Sequence, residues 1–160
     1  MTLREAQASD RALLYAVYAS TRTEELAVVP WNDAQKAAFL RMQFDAQDRH
    51  YREHYPAAAY LVIEDGGQPA GRLYVARSAN EIRILDIALL PEYRSRGIGG
   101  GLLRELLAEG DRDGKVIVLH VEQENRAQQL YERLGFRRVE DVGVYYRMER
   151  PPASGDPSRH

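Results

Sequence analysis

Residues 84–109, ILDIALLPEYRSRGIGGGLLRELLAE, constrain the fold more than any other stretch of the chain. The segment opens with aliphatic side chains that only Asp86 interrupts, which is the pattern of a strand buried on both faces. Pro91 cannot donate to a sheet ladder and marks the end of that strand. Farther on, four leucines recur at helical spacing: Leu102, Leu103, Leu106 and Leu107. The stretch therefore predicts a buried strand, a short basic loop and an amphipathic helix.

Four glycines stand where the predicted loop enters the helix: Gly97, Gly99, Gly100 and Gly101. Glycine lets a ligand approach the backbone closely, and the unpaired N–H groups of a first helical turn favour an anion. Arg94 and Arg96 add two positive charges just before this cluster. These features together predict a cradle for a pyrophosphate group.

Two common phosphate-binding motifs explain this loop poorly. A Walker P-loop requires Lys followed by Ser or Thr after its last glycine, whereas Leu102 follows Gly101 here. A Rossmann fingerprint requires Gly-x-Gly-x-x-Gly directly after a strand, with an acidic residue about 20 positions farther on. Glu122 lies at about that distance, but the third glycine is misplaced and Pro91 separates the cluster from the strand.

Residues 94–99 and 125–136 carry two patterns that have a family precedent. The first reads Arg-Ser-Arg-Gly-Ile-Gly and the second reads NRAQQLYERLGF. The first matches the Arg/Gln-x-x-Gly-x-Gly/Ala motif of the GCN5-related N-acetyltransferases (the GNAT superfamily), and the second resembles that family's Asn…Ala…Leu-Tyr-Glu-x-x-Gly-Phe segment. The resemblance implies an α/β fold with a mixed, mostly antiparallel central sheet flanked by helices, the acyl-CoA N-acyltransferase fold. It also implies an N-acetyltransferase that uses acetyl-CoA as co-substrate.

The resemblance further implies which residues hold acetyl-CoA. The pantetheine arm would pair with the strand backbone, and the pyrophosphate would bind the amides of the glycine loop. A backbone amide near Leu89 would polarise the acyl carbonyl. The expected cofactor-binding residues are Ile87, Ala88, Leu89, Arg94, Ser95, Arg96, Gly97, Ile98, Gly99, Gly100, Gly101, Asn125 and Tyr131.

Three residues are candidates for catalysis. Tyr131 matches the family position whose phenol protonates the leaving thiolate. The general base stays open between His120, Glu122 and a proton relay through water; the two side chains share one face of a predicted strand. The alternative to an enzyme is a catalytically silent acyl-CoA-binding sensor or regulatory module on the same fold.

The acceptor is expected to be an amine on a small molecule or a peptide, acetylated by direct transfer in a ternary complex. The resemblance implies that it enters between the N-terminal helices and the final hairpin. The candidates for contact with it are Glu24, Glu25, Trp31, Phe39, Tyr145 and Tyr146, and an acidic group there would suit a cationic amine.

The rest of the chain predicts the order β-α-α-β-β-β-α-β-α-β-β, with a loop or short helix at residues 21–30. Ser9 or Asp10 is the expected N-cap of the first helix. Asn32 or Asp33 is the expected cap of a long second helix. We expect one domain over residues 1–150 and a flexible tail at 151–160. The chain would be a monomer, or a homodimer paired through an exposed final strand.

Composition narrows the possible partners and cofactors. A net charge of -2 gives no reason to expect nucleic acid or a membrane as a partner. The chain has no cysteine, so disulfides and thiolate metal sites are excluded, and with no apolar leader-like segment we expect a cytoplasmic protein. His50 and His54 have metal-ligand spacing on a predicted helix, but that helix face is highly polar and lacks a third ligand. We therefore expect no metal.

Overall fold

The computed structural model describes residues 1–153. Its strands are Thr2–Glu5 (β1), Ala59–Asp65 (β2), Gln68–Arg77 (β3), Glu81–Leu89 (β4), Val116–Glu122 (β5), Arg137–Val142 (β6) and Tyr145–Arg150 (β7). Its α-helices are Arg11–Ser20 (α1), Thr23–Ala27 (α2), Asp33–His54 (α3), Ile98–Asp113 (α4) and Ala127–Arg133 (α5). The predicted order is confirmed, and α2 is a short helix in the segment where a loop or short helix was expected.

The strands form one mixed sheet in the order β1-β2-β3-β4-β5-β7-β6. A parallel ladder joins Glu81–Ile84 of β4 to Val116–Leu119 of β5, with α4 as the crossover between them. The pairs β1–β2, β5–β7 and β6–β7 are antiparallel. This confirms the mixed, mostly antiparallel sheet with helices that the resemblance implied.

The chain divides into two compact units, the first made of residues 1–74 and 86–99. In this unit α1, α3 and β2 share an apolar cluster of Leu14, Tyr18, Phe44 and Val62. The long helix α3 starts at a capping box, because Asn32 accepts from the Gln35 N–H at 2.8 Å while the Gln35 side chain accepts from the Asn32 N–H at 2.9 Å. The expected cap at Asn32 is thus confirmed.

The second unit comprises residues 75–85 and the residues from 100 onward. Its buried apolar residues come from β3, β4, α4, β5, β7 and the residue before β6, and they include Val75, Ile82, Ile84, Leu102, Leu103, Leu106, Leu107, Ile117, Leu119, Phe136 and Met148. Gly110 lets α4 approach β5 closely, because a Cβ at that position would stand 2.8 Å from Ile117 Cδ1 and 2.9 Å from the Lys115 carbonyl oxygen. The amphipathic helix predicted after the glycine cluster is confirmed.

Asp10 occupies the N-cap position of the first helix, as expected, but its side chain makes no cap hydrogen bond. A 3₁₀ turn at Ala8–Asp10 precedes α1, and no cap bond from the Asp10 side chain to α1 is present. The Asp10 carboxylate instead accepts from the Gln7 N–H at 2.7 Å and from Arg4 at 2.8 Å. A charged partner on β1 therefore outcompetes the helix amides for this carboxylate.

The strand at residues 84–90 is less buried than the sequence indicated. Ile84 is buried, whereas residues 85–90 are each only half-buried. A run of aliphatic residues marks a strand with apolar surroundings, but it does not require that protein atoms cover both faces. The second half of β4 thus leaves part of its apolar surface accessible.

The final strand is not a sheet edge, so the expected pairing of two chains through it is wrong. β7 lies between β5 and β6, and β6 is the edge. All six residues of β6 are exposed, and the β6–β7 register shifts between Arg138 and Glu140, which leaves Val139 as a bulge. A bulge and charged side chains are features that discourage an edge strand from pairing with another chain.

Among the helices within residues 1–153, none is both long and apolar enough to cross a bilayer. Asp111 on α4 accepts a hydrogen bond from the Ala153 N–H at 2.7 Å. Residues 154–160 of the expected flexible tail lie outside the described residues. The expectation of a single domain over residues 1–150 stays a prediction.

Candidate functional site

The predicted anion cradle has an unusual backbone. Gly97 has φ of +81° and Ser95, which is not a glycine, has φ of +62°. A left-handed conformation costs a residue with a Cβ about 1–2 kcal/mol, and such strain is concentrated at functional sites. Helix α4 begins at Ile98, immediately after Gly97, so the amides of residues 98–101 form its first turn.

At three of its four glycines, this turn has no described protein atom closer than 3.9 Å to an added Cβ. A Cβ at Gly97 or Gly101 would meet nothing within 4 Å among the described residues, and at Gly99 the nearest atom would be Leu89 Cδ1 at 3.9 Å. First-turn amides with open space at Gly97, Gly99 and Gly101 fit a pyrophosphate, which needs several N–H donors and close approach. The loop predicted from residues 94–101 therefore has the geometry that a nucleotide-bearing acyl carrier requires.

The arginines of the loop have different surroundings. Arg94 donates from Nε to the Leu89 carbonyl oxygen at 3.0 Å and from Nη2 to Ser20 Oγ at 3.1 Å. The Arg96 side chain is 58% exposed, stands 3.9 Å from Asp65 and lies over the Tyr93 ring. The Arg94 guanidinium thus binds the protein itself, whereas the Arg96 guanidinium extends towards solvent.

Arg104 is a further cation at the glycine turn that sequence reasoning missed. Its Nη1 atom would lie 3.5 Å from a Cβ at Gly100, so the guanidinium folds back over the first turn of α4. The signal was present, because positions four apart on a helix are neighbours. Without a known helix start, however, Arg104 reads as one of many solvated arginines.

The end of β4 is shaped by Gly71 on β3, a residue that the sequence did not single out. A Cβ at Gly71 would overlap the Ala88 carbonyl oxygen and stand 3.0 Å from Leu89 Cα. The Leu90 N–H donates to the Ala70 carbonyl at 2.8 Å. The peptides at Ala88 and Leu89, expected to contact an acyl carrier, are therefore held against β3 by a glycine contact that no other residue type permits.

A buried ion pair holds β4 from another direction. Arg72 on β3 is 2% exposed and forms a salt bridge with Asp86, next to Ile87. Its Nη2 also donates to Gln47 of α3 at 2.8 Å, and burial is compensated by these partners. Asp86, which interrupts the apolar pattern of the strand, is thus explained by its partner on the neighbouring strand.

Tyr131, the expected proton donor, lies on α5 in the second unit. It is half-buried, its ring centroid is 5.7 Å from that of Phe136, and its carbonyl accepts from the Phe136 N–H at 3.0 Å. Gly135, with φ of +98°, ends the helix between these two aromatic residues. The segment from Tyr131 to Phe136 is therefore a compact helix end that fixes the tyrosine ring.

The two candidate bases lie two residues apart on β5. His120 stands opposite Arg147 in the β5–β7 register, and Glu122 stands opposite Tyr145. Partial desolvation of the His120 ring, helped by the nearby Arg83 and Arg147 cations, lowers the pKa of His120 below its ordinary value. The structure therefore brings His120, Glu122 and Tyr145 together on one sheet face, and it favours a neutral imidazole there.

The remaining predicted residues lie in several places. Asn125 Oδ1 accepts from the Ala127 N–H at 2.8 Å at the start of α5, so this side chain already has a structural partner. Glu24 is exposed in the first turn of α2. Trp31 is 40% exposed and stacks edge-on against Phe39 with centroids 5.2 Å apart. Glu24 and Trp31 belong to the first unit and Tyr145 to the second.

The described residues contain no cluster of three or more His or acidic groups positioned to hold a metal ion. His50 and His54 have ring centroids 4.2 Å apart, and His54 Nδ1 is 2.9 Å from the His50 carbonyl. This contact accounts for the pair as neighbours on one exposed face of α3.

Comparison with known proteins gives one consistent family. A model of the acetyltransferase (GNAT) family matches residues 14–136. The chain is 32% identical over 162 aligned residues to the N-alpha-acetyltransferase RimI of Mycobacterium tuberculosis, covering 88% of this chain and 99% of that protein. It is 35% identical to the ribosomal protein bS18-alanine N-acetyltransferase of Haemophilus influenzae, over 70% of this chain and 75% of that protein.

The fold of the chain is also similar to that of a solved N-acetyltransferase structure. The PaiA N-acetyltransferase of Thermoplasma acidophilum, solved in complex with coenzyme A, superposes with a TM-score of 0.69 at 19% identity, over 94% of this chain and 98% of that chain. The sequence match over most of the chain and the shared fold agree with the glycine turn at the start of α4. The chain therefore belongs to the acetyltransferase (GNAT) family of N-acetyltransferases.

Proposed function

We propose that this enzyme transfers the acetyl group of acetyl-CoA to the N-terminal amine of a protein or peptide. The observation that carries the proposal is the loop of residues 94–101, where left-handed Ser95 and Gly97 lead into an open, glycine-lined first turn of α4. The names of two relatives, an N-alpha-acetyltransferase and a bS18-alanine N-acetyltransferase, support a protein amine as acceptor.

The chain's own groups suit the donor. The amides of Arg96 to Gly101 bind the pyrophosphate, and Arg96 and Arg104 contribute positive charge beside it. The backbone of Ile87, Ala88 and Leu89 pairs with the pantetheine arm, next to the half-buried apolar surface of β4. Acetyl-CoA, when bound there, supplies an acetyl group activated as a thioester.

The peptide geometry at Leu89 supports a role in polarising the acyl carbonyl. The described residues contain no cis peptide bond, so the Ala88 carbonyl and the Leu89 N–H point in opposite directions from one planar peptide. Because the Ala88 carbonyl lies against Gly71 of β3, the Leu89 N–H points away from β3. An N–H fixed in this way stabilises negative charge that develops on a carbonyl oxygen during acyl transfer.

Proton transfer is assigned to residues of the second unit. His120 or Glu122, directly or through water, takes a proton from the acceptor ammonium, and the neutral amine nitrogen then bonds to the carbonyl carbon. The carbon–sulfur bond breaks, and the Tyr131 phenol donates a proton to the departing sulfur. The second proton of the attacking nitrogen leaves as the amide forms and returns through water to the Tyr131 phenolate. The chain has no cysteine to carry an acyl intermediate, which supports direct transfer in a ternary complex.

The acceptor contacts are assigned to acidic and aromatic side chains. Glu122 and Tyr145 stand opposite each other in the β5–β7 register, where a carboxylate and a phenol can receive an ammonium group. Glu24 and Trp31 are exposed beside the start of α2 and just before α3. Their exposure is compatible with contacts to a peptide that extends beyond its first residue.

The test is calorimetric titration with acetyl-CoA, followed by a thiol-release assay on synthetic peptides. We expect binding, and acceptor-dependent thiol release with a peptide that begins with alanine. The control is the same peptide with a formylated N-terminus and an internal lysine. Release with the control or only with free polyamines would contradict the N-terminal acceptor, and binding without turnover on any amine would favour the acyl-CoA sensor.

A variant of Tyr131 tests the assigned proton donor separately. Tyr131→Phe is expected to lower kcat about 10²-fold while changing acetyl-CoA affinity by less than about threefold, because the lost proton matters only as the sulfur departs. Tyr55→Phe at the C-cap of α3 is the matched control, as it removes the phenol of a tyrosine without an assigned role. An unchanged kcat for Tyr131→Phe would remove Tyr131 from the mechanism.

A further inference from the structure

We infer that Arg94 is a positioning residue, which clamps the end of β4 so that the Leu89 amide faces the acyl carbonyl, and that it is not a phosphate ligand. The inference rests on the proposed function, because it concerns the same donor site. It departs from the expectation, based on the sequence, that both loop arginines neutralise the pyrophosphate.

The contacts of the Arg94 guanidinium carry the inference. Nε donates to the Leu89 carbonyl at 3.0 Å, while Nη2 donates to Ser20 Oγ at 3.1 Å and approaches the Ser20 carbonyl at 3.4 Å. The Ser20 hydroxyl donates to the Val17 carbonyl at 2.7 Å, which leaves its oxygen oriented to accept from Arg94. One guanidinium therefore links the last residue of β4 to the C-terminal end of α1.

These bonds fix two successive peptide planes at the end of β4. The peptide between Leu89 and Leu90 is held at its carbonyl by Arg94 and at its N–H by the Ala70 carbonyl, 2.8 Å away. The preceding peptide is held by the close approach of the Ala88 carbonyl to Gly71. The two restrained peptides together set the direction of the Leu89 N–H. Loss of the Arg94 hydrogen bond would therefore remove one of these two restraints.

A role in phosphate binding would conflict with this arrangement. Turning the Arg94 guanidinium towards the glycine turn would break the bonds from Nε and Nη2 and leave the Leu89 carbonyl without that donor. Arg96, which is 58% exposed and 3.9 Å from its nearest carboxylate, reaches an anion without comparable loss. Arg94 thus positions the end of β4, whereas Arg96 provides positive charge for the anion.

The deciding experiment compares acetyl-CoA with acetylpantetheine, which keeps the thioester and the pantetheine arm but has no pyrophosphate. The variants are Arg94→Gln and Arg94→Lys. Lysine keeps the charge but cannot make the two divergent bonds of a planar guanidinium. We expect both variants to lower kcat about tenfold with either donor, while KM for the donor changes less than about threefold.

Three further variants serve as comparisons. Arg96→Gln is expected to weaken acetyl-CoA binding but to leave the kinetics with acetylpantetheine unchanged. Arg112→Gln, whose side chain is 69% exposed on α4 far along the helix from the glycine turn, removes the same charge and is expected to change neither donor's kinetics. Ser20→Ala removes one end of the clamp and is expected to give a smaller loss of kcat than Arg94→Gln.

A second measurement uses the ligand-free protein, so that it does not depend on activity. Hydrogen exchange of the Leu90 amide is expected to accelerate about tenfold in both Arg94 variants and to stay unchanged in Arg96→Gln. Full activity of Arg94→Lys, or a defect of Arg94→Gln that disappears with acetylpantetheine, would show that Arg94 is a phosphate ligand. If the wild-type protein neither binds nor uses either donor, the proposed function fails, and the exchange data still decide whether the clamp exists.

Discussion

Ser95 and Gly97 adopt left-handed backbone conformations two positions apart, at φ of +62° and +81°. Glycine does so at little cost, but serine does not, and no side-chain chemistry of Ser95 explains its conformation. The two residues redirect the chain between the 3₁₀ turn at Pro91–Tyr93 and α4. The first-turn amides of α4 therefore begin immediately after Gly97. At the residue scale, the proposed donor site therefore consists mainly of backbone groups.

Gly99 gives the most direct test of this backbone site. Gly99→Glu is expected to reduce acetyl-CoA affinity at least 10²-fold, because it places a carboxylate among the amides that would bind the pyrophosphate. The nearest protein atom to an added Cβ is 3.9 Å away, so the first atom of the new side chain meets no clash. Calorimetry measures the affinity, with Gly99→Ala as the control for the side chain alone. Undiminished affinity of the Glu variant would contradict the pyrophosphate assignment.

His120 gives a prediction about pH. Its pKa lies below the ordinary histidine value, so the imidazole stays neutral, and able to accept a proton, to a lower pH than a free histidine would. If His120 is the base, kcat/KM falls with a single acidic limb below about pH 6.5, and His120→Gln removes that limb.

The cations near His120 provide the control for that profile. Arg147→Gln removes a positive charge that lowers the pKa of His120, so the acidic limb is expected to move to higher pH. A limb that stays in place in this variant would assign it to Glu122 or to another group. An unchanged rate in His120→Gln would leave Glu122 or a water relay as the base.

At the scale of secondary-structure elements, the close contact between β3 and β4 at Gly71 determines the position of the end of β4. Gly71→Ala is expected to destabilise the fold by about 1–3 kcal/mol, because the new methyl overlaps the Ala88 carbonyl and must displace the end of β4. The same displacement should lower kcat/KM. Urea unfolding measures the first effect and the thiol-release assay the second.

Gly101→Ala is the matched control for Gly71→Ala. Gly101 is helical and its added Cβ meets no described atom within 4 Å, so the change is expected to stabilise the fold by about 0.5–1 kcal/mol. Equal stability of the two variants would mean that β4 adjusts to a methyl group at position 71 without cost, and that Gly71 does not fix the direction of the Leu89 amide.

The sequence predicted those parts of the site that are continuous along the chain. Residues 94–101 form a loop and helix start whose glycine spacing is visible directly, and the element order follows from local periodicity. The close contact at Gly71 and the Arg94–Ser20 hydrogen bond depend on which elements lie side by side in the fold. A single sequence does not reveal such long-range contacts. The same reason explains the wrong expectation for the final strand, since sequence order placed β7 last but the sheet placed β6 outside it.

Residues at the N-terminus couple the stability of the whole molecule to pH. Arg4 of β1 binds Asp10 at 2.8 Å and Glu64 of β2 at 3.0 Å, and the Arg4 guanidinium with the Gln7 N–H lowers the pKa of Asp10 to about 2. Because this pKa is lower in the folded state than in the unfolded state, the stabilisation is complete above about pH 4 and is lost as the pH falls towards 2.

Asp10→Asn tests this coupling. The variant is expected to lower Tm by about 4 °C at neutral pH, and its deficit relative to the wild type should shrink between pH 4 and pH 2. Thermal unfolding followed at several pH values measures both effects. Asp113→Asn, which changes an acid on α4 that forms an exposed salt bridge with its neighbour Arg112, is the control. A deficit that does not vary with pH would mean that Asp10 acts through packing and not through its charge.

The bulge at Val139 has a consequence for how the protein behaves in concentrated solution. A net charge of -2 gives the chains little mutual repulsion, so global electrostatics alone do not keep them apart. The exposed edge β6 would otherwise present a regular row of backbone donors and acceptors to every passing copy. The irregular register between Arg138 and Glu140 interrupts that row. The bulge at Val139, in a strand that has no assigned part in the reaction, is therefore a feature that discourages copies of this enzyme from associating through β6.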